Sequence, residues 1–288
     1  MLLSLGTSMH VLLLLLTVSL GHAQTAFSTL VSPVWLNEQL LNPTLLIIDT
    51  REALLYEQAH IPGAINIPVN DTFTTAGNTY RVGSLQQIKT LFSQHGIKYD
   101  DHIVVYDDGR LIDAARFFWV LEVYGHQRVS LMDGGISQWL KAGLPIEHER
   151  RQRPATNYVP TISHERITTK MAMQIALSNP AVQIIDARTQ QEYSGKESIA
   201  ERSGHIPGAV NIPWLVNMEQ QQGLNKLLTD SRLVDRYQAY KDQPVITYCN
   251  RGKQSALTYF ALRYLGYDVS VYDGAWLEWA NDQNLPIE

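Results

Sequence analysis

Residues 184 to 288 repeat the plan of residues 47 to 147, and this duplication limits the possible folds more than any other feature of the chain. The segment IIDTREALLYEQAHIPGAINIP from Ile47 returns as IIDARTQQEYSGKESIAERSGHIPGAVNIP from Ile184, with eight extra residues before the shared HIPGA. Further on, VVYDDGRLIDAARFFWVLEVYGHQRVSLMDGGISQW from Val104 is echoed by ITYCNRGKQSALTYFALRYLGYDVSVYDGAWLEW from Ile246, and both halves close on LPIE. A period of about 140 residues is far above the roughly 20 to 50 of solenoid repeats, so each copy reads as a whole domain. Two domains also suit the 288-residue length.

Short apolar runs at Leu45 to Asp49, Ile103 to Tyr106, Val129 to Met132 and Pro244 to Tyr248 read as buried strands. They alternate with helical spacing over Leu85 to His95, Asp113 to Tyr124 and Ser255 to Leu265. Continuous apolar strands separated by helices imply an α/β fold, with a small parallel sheet in each half and helices on both faces. The expected layout is an amino-terminal leader over 1–23, a first domain over 24–148, a linker over 149–162 and a second domain over 163–288. HERRQRP, from His148, reads as a solvated basic stretch of that linker.

From Met1 to Ala23 the chain has no Asp, Glu, Lys or Arg, and Val11 to Leu16 is an unbroken apolar run. Gly21 and Ala23 place small residues at the minus-three and minus-one positions of a cleavage site after Ala23. The apolar core is shorter than the about 20 residues a membrane-spanning helix needs. The segment reads as a secretory signal peptide, with the periplasm as the expected destination and no stable membrane insertion of the mature chain. The start is open between Met1 and Met9. A net charge of −5 with 45% hydrophobic residues gives no electrostatic case for nucleic acid or an anionic membrane.

Cys249 is the only cysteine, so it cannot form an intramolecular disulfide. In an exported protein such a thiol is either buried and inert or kept for chemistry. The surroundings favour chemistry. The expected strand ends at Tyr248, and Cys249-Asn250-Arg251-Gly252-Lys253-Gln254 leads into a helix with Ser255 as its cap candidate. Carboxyl ends of parallel strands are where α/β sheets bind ligands, and helix amino termini attract anions. Gly252 gives the loop backbone freedom, while Arg251 and Lys253 add positive charge that favours the nucleophilic thiolate. The first copy is expected to carry Asp108 at the cysteine position.

The paired HIPGA motifs, the strand-ending DTR and DAR, the loop CNRGKQS and the DGG or DGA before Trp resemble the tandem-domain rhodaneses, a sulfurtransferase family. The resemblance runs from about Leu30 to Glu288. It implies an inactive first domain and a second domain whose Cys249 forms a persulfide, taking sulfur from thiosulfate and passing it to cyanide or a thiol. It further implies that backbone N–H groups of residues 250 to 255 hold the sulfur anion, that Arg251 and Lys253 bind the donor, and that no cofactor or metal is needed. Asn250, Gly252, Gln254 and Ser255 complete the implied substrate-binding loop.

The loop departs from the family's usual tandem-domain patterns and is closer to that of small periplasmic single-domain members. Glu192 stands where many members have a substrate-binding arginine, so 3-mercaptopyruvate remains an alternative donor. Asp186 and Arg188 are candidates for loop support, and Arg202 and Trp214 for pocket lining, because the last two belong only to the second half. His60, His205, Trp139 and Trp279 recur in matched positions and read as structural. Two other functions stay open: a cysteine phosphatase, disfavoured because Ser255 occupies the position of its phosphate-clamping arginine, and a sulfur carrier that does not turn over.

Overall fold

The computed structural model describes residues 27–74, 80–221 and 223–288. The expected leader lies outside them. In the first half the elements are β1 (Leu30–Val31), α1 (Pro33–Glu38), β2 (Leu45–Asp49), α2 (Ala53–Gln58), β3 (Ile65–Asn66), α3 (Leu85–Gln94), β4 (His102–Tyr106), α4 (Ile112–Val123), β5 (Val129–Met132) and α5 (Gly135–Lys141). The second half runs β6 (Ile167–Thr168), α6 (Lys170–Ala176), β7 (Gln183–Asp186), α7 (Gln190–Tyr193), β8 (Val210–Asn211), β9 (Met218–Gln221), β10 (Leu224–Leu227), α8 (Asp230–Tyr237), β11 (Val245–Tyr248), α9 (Ser255–Tyr264), β12 (Val269–Tyr272) and α10 (Ala275–Ala280).

Each half builds a five-stranded sheet in which every pair is parallel. The strand orders are β1-β5-β4-β2-β3 and β6-β12-β11-β7-β8, which superimpose when the repeats are aligned. Alternation along the strands explains the layers. Leu46 and Ile48 of β2, with Ile103 and Val105 of β4, face the helices turned toward the other half. Ile47, Val104 and Tyr106 point the opposite way, onto Leu36 of α1 and Ile136 and Trp139 of α5. In the second sheet Ile185 and Val245 join the shared side, while Ile184, Ile246 and Tyr248 meet Trp276 and Trp279 of α10. Both faces are therefore covered, as the unbroken apolar strands require.

The two domains share one apolar core through α4 and α9. Phe118 meets Phe260 edge-on at 5.0 Å between ring centres. At the rim of this contact Glu122 accepts from Arg263 at 2.8 Å and from the hydroxyl of Tyr259 at 2.5 Å. Each half also extends an arm across the other. The first arm is closed by the antiparallel bridge between Phe73 and Val82, and the Val82 N–H donates to Asp273 Oδ2 at 2.9 Å. The second arm is the antiparallel β9–β10 hairpin, and its Leu227 N–H donates to Asp133 Oδ1 at 2.9 Å. Asp133 and Asp273 are the aspartates of DGG and DGA, so the exchange of arms is nearly two-fold symmetric.

The stretch between the domains departs from a purely solvated linker. Arg153 makes a bidentate pair with Asp101 at 2.7 and 3.1 Å, and Tyr158 is buried against Phe92. Arg151 pairs with Glu147. These contacts fasten the connection to the first domain, although most of its other residues remain exposed.

Candidate active site

Cys249 follows the last residue of β11, at the carboxyl edge of the second sheet. Its carbonyl accepts from the Trp276 N–H at 2.8 Å, and the Asn250 carbonyl accepts from Leu277 at 3.1 Å, which pins the chain as it leaves the strand. The loop then turns back on its own sulfur. The Gly252 N–H donates to Cys249 Sγ at 3.1 Å. That geometry uses a left-handed backbone at Gly252, φ +84°, where a side chain would be strained. The N–H groups of Arg251, Lys253, Gln254 and Ser255 have no acceptor among the described residues. They form the mouth of α9, where partial positive charge collects. Cys249 is only 1% exposed and lines a cleft of about 270 Å³.

Tyr80, Ile199, Asn250, Arg251, Lys253 and Gln254 line this cleft together with Cys249. Tyr80 comes from the first domain's arm and Ile199 from the eight-residue insertion that distinguishes the second copy. Neither was apparent as a site residue in the sequence. Both are aromatic or aliphatic, so the mouth is less polar than the loop composition suggests.

The two loop cations differ. Arg251 lies with its guanidinium 5.9 Å from the Tyr80 ring centre and has no carboxylate partner among the described residues; its Nε is buried without an acceptor. Lys253 is paired across the domain interface with Asp113, Nζ to Oδ1 2.6 Å. Both expected cations line the cleft, and Asp113 offsets the charge of Lys253 alone.

Ser255 is the first residue of α9 instead of its cap. Gln254 occupies the cap position without a side-chain cap bond, and the Ser255 hydroxyl is buried with no partner. Glu192 does not project into the cleft. Its Oε2 closes a capping box with Thr189 at the start of α7, and its Oε1 accepts from Asn250 Nδ2 at 2.5 Å, so it steadies the loop from outside.

Asp186 and Arg188 lie one layer below the cysteine, both fully buried. Arg188 donates to Asp186 through Nε and Nη2, and the Tyr248 hydroxyl donates to Asp186 Oδ2 at 2.6 Å. The guanidinium also bonds the Gly204 carbonyl and stacks 4.2 Å from the Trp276 ring centre. Because Tyr248 directly precedes Cys249, this cluster fixes the end of β11. The same cluster recurs as Asp49, Arg51 and Tyr106 in the first domain, which identifies it as scaffold.

Arg202 and Trp214 are not brought to the cleft, contrary to expectation. The Arg202 guanidinium donates to the carbonyls of Trp279, Ala280, Asp282 and Leu285, where it ties the insertion to the chain's last turn. Trp214 opens a 3-10 turn and packs on the core. His60 and His205 stack on Tyr56 and Tyr193, with ring centres 3.8 Å apart in each case, and bond those tyrosines' carbonyls. Trp139 and Trp279 are buried, each donating to a proline carbonyl near the end of its domain.

Strand register corrects the expected counterpart of the cysteine. Tyr106 pairs with Asp49 as Tyr248 pairs with Asp186, so the residue in the place of Cys249 is Asp107, one position before Asp108. The Ile136 N–H donates to the Asp107 carbonyl as that of Trp276 does to Cys249. The Asp107 carboxylate accepts from the N–H groups of Gly109, Leu111, Asp113 and Ala114, at 2.8 to 3.3 Å. A fixed anion thus occupies the backbone cradle in the first domain. In the second domain the same cradle faces a thiol sulfur.

The rhodanese-like domain family matches residues 32–142 and 172–282. The chain belongs to the rhodanese family. It is 33% identical over 263 residues to a thiosulfate sulfurtransferase of Azotobacter vinelandii, covering 90% of this chain and 96% of that one. It is 30% identical over 271 residues to a 3-mercaptopyruvate sulfurtransferase of Escherichia coli K12, covering 88% and 95%. Among solved structures it is similar to the rhodanese-fold SseA of Escherichia coli, with a TM-score of 0.77 at 28% identity over 86% of this chain and 99% of that one. No helix among the described residues is long and apolar enough to cross a membrane.

Proposed function

We propose that this rhodanese moves sulfane sulfur from thiosulfate to cyanide or a small thiol through a persulfide on Cys249. The observation that carries this reading is the sulfur at 3.1 Å from the Gly252 N–H, in a backbone cradle whose counterpart holds a carboxylate in the first domain. In the first half-reaction the Cys249 thiolate attacks the outer sulfur of thiosulfate. A new S–S bond forms, the old one breaks, and sulfite leaves with its electron pair. Cyanide carbon then attacks the outer persulfide sulfur, and the electron pair of that S–S bond returns to Cys249 as thiolate. The cradle meets the negative charge on sulfur at both stages with dipoles already in place. Arg251 meets the anionic end of the donor.

A second donor, 3-mercaptopyruvate, is favoured by one observation: Asp113 offsets Lys253 and leaves Arg251 as the cleft cation without a carboxylate partner among the described residues. One such cation suits a monocarboxylate as well as a dianion. Incubating the reduced protein with each donor and weighing it intact decides between them. A gain of one sulfur atom on Cys249, lost on adding cyanide with release of thiocyanate, is the expected result with thiosulfate. A sulfur gain from neither donor sinks the reading.

The uncharged, apolar segment over residues 1–23 further supports export to the periplasm with cleavage after Ala23. Amino-terminal sequencing of the protein recovered from a periplasmic fraction tests this. A chain still beginning at Met1 or Met9, and found in the cytosol, overturns it.

A further inference from the structure

We infer that Arg116, a residue of the domain without the cysteine, is the positioning residue of the catalytic loop, and that it sets the loop and the cleft wall with one side chain. This rests on the reading of Cys249 as the sulfur-carrying group. Arg116 lies on α4 and is fully buried. Its Nη1 donates to the Gly252 carbonyl at 2.8 Å. Its Nη2 donates to the Tyr80 carbonyl at 2.6 Å and to Asp273 Oδ1 at 2.9 Å. The guanidinium plane is held from behind by Trp119, 4.1 Å from the ring centre, and by Phe73 at 5.3 Å.

The consequence follows from peptide geometry. Gly252 carries the N–H that meets Cys249 Sγ, and the carbonyl of the same residue is the one Arg116 grips. Holding the carbonyl fixes the left-handed conformation that turns the N–H onto the sulfur. A Cβ at Gly252 would lie 3.4 Å from Arg116 Nη1 and 3.3 Å from the Asp273 carbonyl, so the arginine also closes the space into which the loop would relax. Through Tyr80 the same guanidinium anchors the arm opposite Arg251. Asp273 is fixed in turn by Val82 of that arm, so three segments converge on one cation.

The device is not duplicated. Leu257 of α9 occupies the position that corresponds to Arg116, as the matched hydrogen bonds at the two helix ends show, and it is buried in the apolar core. The first domain's own loop receives no arginine from the second domain among the described residues. Through Arg116 the domain without the cysteine reaches the loop of the half that has one.

The test compares Arg116→Met, Arg116→Lys and Phe118→Leu in the full chain. Phe118→Leu is the control, because it weakens the domain contact without touching the loop. Losing three charge-assisted bonds, one of them to the loop, should lower kcat for thiosulfate to cyanide transfer about 10- to 100-fold in Arg116→Met. Arg116→Lys keeps a charge beside Asp273 but cannot span all three acceptors, and it should fall between Arg116→Met and wild type. Amide exchange of the peptide covering residues 248 to 256 should be at least about tenfold faster in Arg116→Met and unchanged in Phe118→Leu. That exchange does not depend on sulfur transfer, so it tests the positioning even if the proposed donors fail. Wild-type kcat and loop exchange in a folded Arg116→Met overturn the inference. So does an equal loss in Phe118→Leu at equal stability. If Arg116→Met does not fold, the loop exchange and kcat of Arg116→Lys decide in the same way.

Discussion

The two strand-to-helix loops of this molecule share a backbone and differ in what fills it. In the first domain Asp107 places a carboxylate in the cradle and binds four N–H groups; in the second, Cys249 places a sulfur there and binds one, leaving other amides of the loop open. The first loop is also shut from outside, because Asn225 of the β9–β10 arm donates to the Gly109 carbonyl. Over the second loop the corresponding arm supplies Tyr80 and leaves a cleft. The comparison separates two requirements of the chemistry. An anion-holding backbone belongs to the fold and is present twice. An accessible nucleophile with a cation beside it is present once.

The largest effect should come from the nucleophile itself. Cys249→Ser keeps the volume and the Gly252 bond but replaces the thiolate with a far weaker nucleophile. Sulfur transfer should fall by at least about three orders of magnitude, with unfolding by urea unchanged within roughly 1 kcal/mol. Retained activity would mean that the two loops do not differ as described.

Next is the attempt to move the chemistry to the other half. In a Cys249→Ser background, Asp107→Cys puts a thiol into the first cradle. Transfer should stay below about 1% of wild type, because Arg110 is engaged by Asp108 and the β9–β10 arm covers the loop. A persulfide detected on residue 107 by mass spectrometry would show that the cradle alone suffices. The choice of Asp107 depends on strand register. Asp108 would have been the wrong site to replace.

A pH experiment probes the same carboxylate. Burial, with Asp108 next, raises the Asp107 carboxyl to about 6 from an ordinary 3.8. Between those values the folded chain binds more protons than the unfolded chain, so this group's contribution makes stability fall as pH rises and then level off above about 6. His102 acts oppositely: burial lowers it to about 4, so acidification below its ordinary 6.5 favours the unfolded chain. The two partly mask each other in wild type, and a difference measurement removes His102. The stability of Asp107→Asn relative to wild type should therefore climb from pH 4 to pH 6 by about 2 kcal/mol and level off by pH 7. Urea unfolding at pH 4, 5, 6 and 7 checks this, and a flat difference across that range refutes it.

Much of this comparison was legible in the chain because the repeat supplies its own control. The strands Leu45–Asp49 and Val129–Met132 end where their apolar runs end, and the cysteine loop announces itself by Gly252 and two cations between a strand and a helix. Residues repeated in both halves, such as Asp186 with Arg188, proved to be scaffold. What escaped depends on contacts between distant segments. Arg116, Tyr80 and Asp113 lie 136 or more residues from the loop positions they meet, and no local pattern marks them. Arg202 misled for the opposite reason: a cation unique to the second half looks functional until its carbonyl partners are seen. The Asp107 and Asp108 confusion arose from adjacent identical residues, although counting from Val104 and Ile246 already sets Asp107 opposite Cys249, and the strand register agrees.

The smallest effect concerns the charge the cleft offers to its donor. Asp113 and Lys253 are each partly exposed, so their 2.6 Å pair is screened and its rupture should cost little stability. Asp113→Asn removes the carboxylate and leaves the ammonium free beside Arg251. Thiosulfate carries two negative charges and mercaptopyruvate one near neutral pH, so the freed cation should help thiosulfate more. A pair of this exposure is worth roughly 0.2 to 1 kcal/mol, which corresponds to about a 1.4- to 5-fold rise in the ratio of kcat/KM for thiosulfate to that for mercaptopyruvate. Lys253→Ala should move the ratio the other way or leave it unchanged, since the wild-type lysine is already offset. The rise should also shrink in added salt, because the interaction is a partly screened one. An unchanged ratio in Asp113→Asn at low salt would mean that Lys253 does not face the donor, leaving Arg251 as the cation that recognises it.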